Sequence, residues 1–223
     1  MRFSRFILLF VCIAAMSSCG GRQNATGVAG DTVSLSYARN ITIVRHDGFA
    51  EVTLLNPWKQ GQLLHRYILV PRADSARVVS PSEGTVVYTP VERSVIFSSP
   101  LCQLMVWLGA EKGIRGVCDA GYVHVPYVKQ KLKEGVVADC GSGMSPSVER
   151  IVALRPQALF VSPFENGSYG SVEQLGIPII ECADYMETSA LGRAEWMKFY
   201  GMLAGKEREA DSLFAVVEHE YSR

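Results

Sequence analysis

The stretch Met144–Asn166, MSPSVERIVALRPQALFVSPFEN, decides how this chain is read. It predicts one helix, one turn and one buried strand. Ser145 suits an N-cap, and Pro146 falls at the first helical position, where its missing N–H costs little. Val148, Ile151 and Val152 recur at i, i+3, i+4 and make one apolar face. Glu149 lies at the edge of that face and Arg150 opposite it, so both charges reach solvent. Arg155-Pro156 stops the helix. Ala158–Val161 is a short continuous apolar run, the pattern of a strand covered on both sides. Ser162–Asn166 leaves the carboxyl end of that strand as a loop, where open α/β sheets hold ligands.

The same grammar extends outward from this stretch. Upstream, Val95–Ser98 reads as a strand and Leu101–Leu108 as a helix closed by Gly109. Ile114–Cys118 is the next strand, Asp119–His124 a loop, Val125–Leu132 a short helix, and Val136–Asp139 a short extended piece. Downstream, Ser168–Leu175 reads as a helix closed by Gly176, and Ile177–Cys182 as the last strand. Strands alternating with helices imply parallel βα units. The fold class is therefore α/β, a sheet of about four parallel strands with helices on both faces. Ala190–Leu203 is helical, with Trp196, Phe199 and Leu203 on one face. After Gly205, Lys206–Tyr221 is a second helix, with Ala210, Leu213, Phe214, Val217 and Tyr221 at helical spacing.

Ahead of the α/β part lies a β-rich lead-in. Ile41–Val44, Ala50–Leu55, Tyr67–Pro71 and Val86–Thr89 read as short strands, and His46-Asp47-Gly48 as a turn between the first two. The amino terminus reads differently. Arg2 and Arg5 precede the apolar run Phe6–Met16, too short for a comfortable membrane span and suited to a signal peptide. Ser17 and Ser18 then precede Cys19. The chain divides into a signal peptide (1–18), a flexible tether (19–40), the lead-in (41–93), an α/β lobe (94–189) and terminal helices (190–223).

Hydrophobic residues make up 48% of the 223 and charged residues 20%, a balance that argues against disorder. The formal net charge of zero leaves no basic footprint for nucleic acid. Cys102, Cys118, Cys140 and Cys182 contain no CxxC pair, and they read as small buried residues near strand ends. His46, His65, His124 and His219 are scattered, with no metal-ligand spacing, although His124 lies in a candidate pocket loop. There is no GxSxG, P-loop or GxGxxG. Asp119 and Glu187 have no spacing that supports general acid–base work. No catalytic residue, cofactor or metal site is expected.

Several segments together carry a resemblance. SPSVERIVALRPQALFVS is similar to the "NLERIVALKPDLV" segment of ABC-importer substrate-binding proteins of the vitamin B12 and ferric-siderophore type. ETSALGRAEW, Glu187 to Trp196, is near that family's "ETSPLGRAEW". GKEREADSLF matches "GKExxADxLFxxIExxY", the start of the family's inter-lobe helix. The resemblance covers about residues 40 to 223, which is the first half of a two-lobe, class III periplasmic binding fold. It implies that the second lobe is not within these residues and that this stretch alone binds weakly or not at all. The amino terminus resembles a bacterial lipobox, which implies cleavage before Cys19, lipidation of its thiol and a periplasmic, membrane-anchored lipoprotein.

The resemblance also implies a function and its residues. The protein would be the solute-binding component of an ABC importer for a metal chelate: a ferric siderophore, haem or cobalamin. Positions matching Pro100, Ala120, Gly143 and Ser162 face the ligand in B12-binding members. The small residues here argue against B12 itself. By loop position, Ser99, Tyr122, Phe164 and Tyr185 join the ligand-binding set, the aromatic ones as faces for a large, flat ligand. Glu149 matches a Glu that pairs with an Arg of the membrane permease. The GRAEW motif reads as structural, with Trp196 packed and Arg193 and Glu195 capping or salt-bridging. The alternative function is an envelope lipoprotein that acts as an interaction module and has lost transport through truncation.

Overall fold

A computed structural model of the chain describes residues 30–76 and 83–223. The signal peptide, Cys19 and the first half of the tether, residues 19–29, lie outside the described residues.

Two sheets make the frame. The first is built from β1 (Asp31–Thr32), β2 (Ile41–His46), β3 (Phe49–Leu55), β4 (Leu63–Pro71) and β5 (Thr85–Thr89), in that order across the sheet. The pairs β1–β2, β2–β3 and β3–β4 are antiparallel, whereas β5 runs parallel to β4. Asp47-Gly48 closes the β2–β3 hairpin, with Gly48 at φ 83°, a turn that few side chains tolerate. Ile41 and Ile43 alternate inward along β2 and are buried.

The second sheet follows from the α/β part. Its elements are β6 (Ser94–Ile96), α1 (Ser99–Trp107), β7 (Ile114–Val117), α2 (Pro126–Lys133), β8 (Ala138–Asp139), the small hairpin β9 (Gly141–Ser142) and β10 (Ser145–Pro146), α3 (Val148–Leu154), β11 (Ala158–Val161) and β12 (Ile179–Glu181). The strand order is β12-β11-β6-β7-β8, and every neighbouring pair is parallel. Its two faces are covered separately. Ile96, Val117, Phe160 and Ile180 pack in the main core with Leu101 and Met105 of α1 and Val128 of α2. Val95, Leu159 and Val161 pack on the other face with Ile151 of α3 and with Val172. Three helices close the chain: α4 (Ala190–Glu195), α5 (Met197–Ala204) and α6 (Glu207–Tyr221).

The main core does not stop at the second sheet. Ile43, Val52, Leu54 and Tyr67 of the first sheet belong to it, together with Trp196, Phe199 and Leu203. Tyr67 is fully buried, and its hydroxyl donates to Ile179 O at 2.9 Å and accepts from Glu181 N at 2.9 Å. One phenol thus ties the first sheet to the edge of the second.

Several local expectations change. The helix of the deciding stretch starts later, because Ser147 is the N-cap, its hydroxyl accepting from Arg150 N at 3.4 Å. Ser145-Pro146 instead pairs with Gly141-Ser142 as a hairpin, which Gly141 permits at φ 88°. Val152 is exposed; Val148 and Leu154 pack beside Ile151 instead. The parallel sheet has five strands, since Ala138–Asp139 pairs with β7. Ser168–Leu175 is not an α-helix: a 3₁₀ stretch spans Gly170–Leu175. The helix expected over Ala190–Leu203 breaks at Trp196, which serves as C-cap of α4 and N-cap of α5. Tyr221 is 65% exposed rather than on the packed face of α6.

The largest change concerns residues 31–40, which are part of the fold rather than of the tether. Their backbone is held by two carboxylates. Glu195 accepts from the N–H groups of Ser36, Tyr37 and Ala38 at 2.8–2.9 Å. Glu187 accepts from those of Arg39 and Asn40 at 2.9–3.0 Å and from Trp196 Nε1 at 2.9 Å. Five consecutive amides are thereby satisfied without a strand partner, as buried backbone requires. Gly192 allows the approach, because a Cβ there would sit 2.9 Å from Tyr37 O. The α4 cap is Ser189, which accepts from Gly192 N at 2.9 Å; neither Arg193 nor Glu195 fills that role.

Burial alone would raise the Glu195 pKa, but the bonds from Ala38, Tyr37 and Ser36 outweigh it and hold the carboxyl below its ordinary value. A lowered acid contributes stability that is complete above the unfolded pKa, about 4.3, and is lost as pH falls through the folded one. Glu195→Ala leaves three amides without their acceptor and is expected to cost about 3 kcal/mol in urea unfolding at pH 7. The gap between variant and wild type should narrow as pH drops below about 4. A cost under about 1 kcal/mol at pH 7 would show that water replaces the carboxylate readily.

Candidate functional site

All five parallel strands direct their carboxyl ends to one edge, and the loops that leave them converge there. They enclose a cleft of about 370 Å³. Its walls come from Phe97 after β6, Asp119 after β7, Gly143–Pro146 in the β9–β10 hairpin, Val161–Ser162 and Phe164 after β11, and Ser168–Val172.

Local geometry fixes each wall. Asp119 sits at φ 51°, a left-handed conformation that Asp tolerates better than most residues. Its N–H donates to Gly141 O at 2.7 Å, and its Oδ2 accepts from Gly143 N at 3.0 Å. Those two bonds lock the hairpin against the end of β7. A Cβ on Gly143 would lie 2.7 Å from Asp119 Oδ2 and would force that carboxylate to move. Phe164 lays its ring over Gly167, where a Cβ would meet the ring at 2.5 Å, and remains 47% exposed to the cleft side. The Tyr185 hydroxyl bonds to Pro163 O and braces the same loop.

Tyr169 connects the cleft to a buried polar cluster. Its hydroxyl donates to Glu181 Oε1 at 2.8 Å. Glu181 is buried, and its Oε2 has no hydrogen-bond partner among the described residues. Burial raises the Glu181 pKa, which the Tyr169 bond only partly offsets. The neighbouring ionisable group is His65, with Nδ1 at 3.7 Å from Glu181 Oε2. Burial pushes the His65 pKa down, so the imidazole favours its neutral form, with Nε2 at 2.8 Å from Thr85 Oγ1.

Of the residues expected from sequence, Gly143, Ser162 and Phe164 line this cleft together. Ser99 and Pro100 lie in the first turn of α1, and Ala120 and Tyr122 in a 3₁₀ turn after Asp119, with Tyr122 78% exposed. Those four and Tyr185 are not among the lining residues. His124 is exposed, with Nδ1 at 3.2 Å from Lys129 Nζ. Asp119 and Glu187 do not form a pair, because Glu187 is committed to Arg39, Asn40 and Trp196. Sequence reasoning missed Phe97, Ser168 and Tyr169. Reading Ser168–Leu175 as a helix concealed the last two, which belong to the loop. Glu149 is exposed in the first turn of α3 and has no partner among the described residues, whereas Arg150 donates to Asp139 O at 2.8 Å. Cys102, Cys118, Cys140 and Cys182 are all free and buried, and burial lifts the Cys118 thiol to about 12 and Cys140 to about 11.

A sequence profile of the family described as periplasmic binding protein matches residues 104–223. Two uncharacterized lipoproteins of Methanocaldococcus jannaschii are similar to the chain. One is 27% identical over 208 residues, covering 84% of this chain and 50% of its own length. The other is 25% identical over 229 residues, covering 93% and 57%. The chain thus spans about half the length of the curated relatives it matches. Among solved structures, the petrobactin-binding protein YclQ of Bacillus subtilis is similar at 20% identity and a TM-score of 0.49, over 60% of this chain and 45% of that one. A periplasmic heme binding protein of Pseudomonas aeruginosa is similar at 22% identity and a TM-score of 0.46, over 58% and 44%.

A buried acid with a raised pKa destabilises the fold as pH rises from its unfolded value through its folded one. Glu181→Gln keeps an acceptor for Tyr169 and removes that charge. It is expected to raise the melting temperature at pH 7 by a few degrees and to leave it unchanged near pH 4, where Glu181 is largely protonated. An equal effect at both values would place the cause elsewhere than the charge.

Proposed function

The chain belongs to the periplasmic binding protein family, a family of substrate-binding proteins rather than enzymes, and from that premise we propose that it is the solute-binding component of an ABC importer. Its cargo is a metal chelate: a ferric siderophore, haem or cobalamin. The observation that carries this reading is the cleft at the carboxyl edge of the parallel sheet, walled by Phe97, Phe164 and Tyr169 and floored by backbone at Gly143. A rigid, part-apolar, part-hydroxyl surface of this kind suits a large ligand that is held without chemistry. Its volume, about 370 Å³, is near the low end of ligand pockets.

The proposed route of delivery uses the outside of the molecule. Cys19 would carry the lipid that holds the protein at the cell envelope, with residues from Gly20 onward as the start of the link. Glu149 would meet an Arg of the permease. As a carboxylate at a wet rim it would set register and encounter rate more than affinity.

Thermal denaturation of the full-length protein with ferric siderophores, haem and cyanocobalamin tests the reading. A true cargo at about 100 times its Kd should stabilise the fold by about 2.7 kcal/mol. Phe164→Ala is expected to weaken binding about tenfold through loss of a ring face. Glu149→Arg should leave chelate affinity intact and reduce uptake through the permease. If no chelate shifts the transition even when the chain is joined to the second lobe that the resemblance implies, the solute-binding reading fails.

A further inference from the structure

The cleft has a charge character that the proposed function does not specify. Asp119 is the single lining residue with a strongly acidic or basic side chain; among the described residues no Lys, Arg or His lines it. The other polar side chains there are the hydroxyls of Ser145, Ser162, Ser168, Ser171 and Tyr169. Asp119 Oδ2 is occupied by Gly143 N, while Oδ1 carries no hydrogen bond among the described residues and no cation pairs with the group. The Tyr169 proton is committed to Glu181, so the phenol oxygen has lone pairs to offer the cleft and no donor. Two basic groups, Arg150 on α3 and Arg193 on α4, are used elsewhere: Arg150 donates to Asp139 O and Arg193 to Tyr185 O.

The serine hydroxyls can donate or accept, so the bias toward accepting hydrogen bonds and toward negative potential comes from Asp119 Oδ1 and the Tyr169 oxygen, which only accept, and from a carboxylate that no cation among the described residues offsets. An anionic ligand against this wall would lose hydration, meet no cation among the described residues and face a like charge. A ligand with an ammonium group or a rim of N–H donors would find the opposite. Resting on the solute-binding reading, we infer that this cleft selects a chelate of net positive or zero charge that presents N–H donors, with Asp119 as the residue that sets the preference. Hydroxamate-type ferric chelates and amide-rimmed macrocycles have this chemistry. Triscatecholate and citrate chelates of iron, and haem through its propionates, have the reverse.

The test is calorimetric titration of the full-length protein with ferrioxamine B, which is cationic, ferrichrome, which is neutral, and ferric enterobactin, which is trianionic. The first two are expected to bind at least about tenfold more tightly than the third. Asp119→Asn keeps an acceptor for Gly143 N and tolerates the left-handed backbone, and an unchanged melting temperature would verify its fold. It is expected to weaken the cationic chelate about tenfold, the neutral one less than about threefold, and the anionic one not at all. Raising the salt should weaken ferrioxamine B more than ferrichrome. Tightest binding of enterobactin or haem would overturn the charge inference and leave the solute-binding reading intact. An equal loss for all three chelates in Asp119→Asn would overturn it too, by making Asp119 a matter of shape. Tight binding of cyanocobalamin, a neutral amide-rimmed chelate, would support it. If no chelate of any charge binds, the solute-binding reading falls and the charge inference falls with it.

Discussion

Two carboxylates on one short segment hold five consecutive backbone amides, and the arrangement of both sheets depends on it. Ser36 to Asn40 run between β1 and β2, and their N–H groups have no strand partner. Glu195 and Glu187 supply the acceptors. A carboxylate buried this deeply, Glu195 at 1% exposure, is tolerable because donors and Lys198 Nζ at 3.3 Å surround it. The bonds fix where the first sheet enters, so Tyr67 and Leu54 reach the same core as Trp196 and Phe199. The ETSALGRAEW segment is therefore an anchoring device. Its glutamates reach backward to the chain's first strands, Gly192 lets Tyr37 approach, and Trp196 fills the core while donating to Glu187.

Much of the architecture was legible because strand burial leaves a strong signature. Ala158–Val161 is buried at every residue and is flanked by two parallel neighbours, which its unbroken apolar run indicated. Gly109, Gly176 and Gly205 each adopt positive φ at the end of a helical piece, as their places in the sequence indicated. What stayed hidden depended on contacts distant in sequence. No local pattern marks residues 36–40 as ordered, since their partners lie about 150 positions away. Ser145-Pro146 looked like a helix start, and only the pairing with Gly141-Ser142 shows otherwise.

The cleft was legible in outline and not in detail. The rule that ligands sit beyond the carboxyl ends of parallel strands located its loops. Phe164 follows from its place in one of those loops, while Gly143 and Ser162 are implied by the family resemblance. In the sequence Asp119 is an acid with no catalytic partner at a supporting spacing. Its observed part is different, since a left-handed backbone and one amide bond hold the carboxylate at the rim of an otherwise uncharged surface. Tyr169 could be placed only once the segment before Gly170 proved to be loop.

The phenol of Tyr67 has a meaning beyond packing. It donates a hydrogen bond to Ile179 O and accepts one from Glu181 N, two of the main-chain groups that an added neighbour of β12 would need. A side chain from the other sheet thus occupies the place of a missing strand. Exposed sheet edges are templates for pairing with foreign chains, and natural proteins blunt them by cover, charge or twist. Here the blunting is done by an internal plug, and it protects a strand only three residues long. Along the β12 margin, self-association by strand addition is closed off from within the molecule.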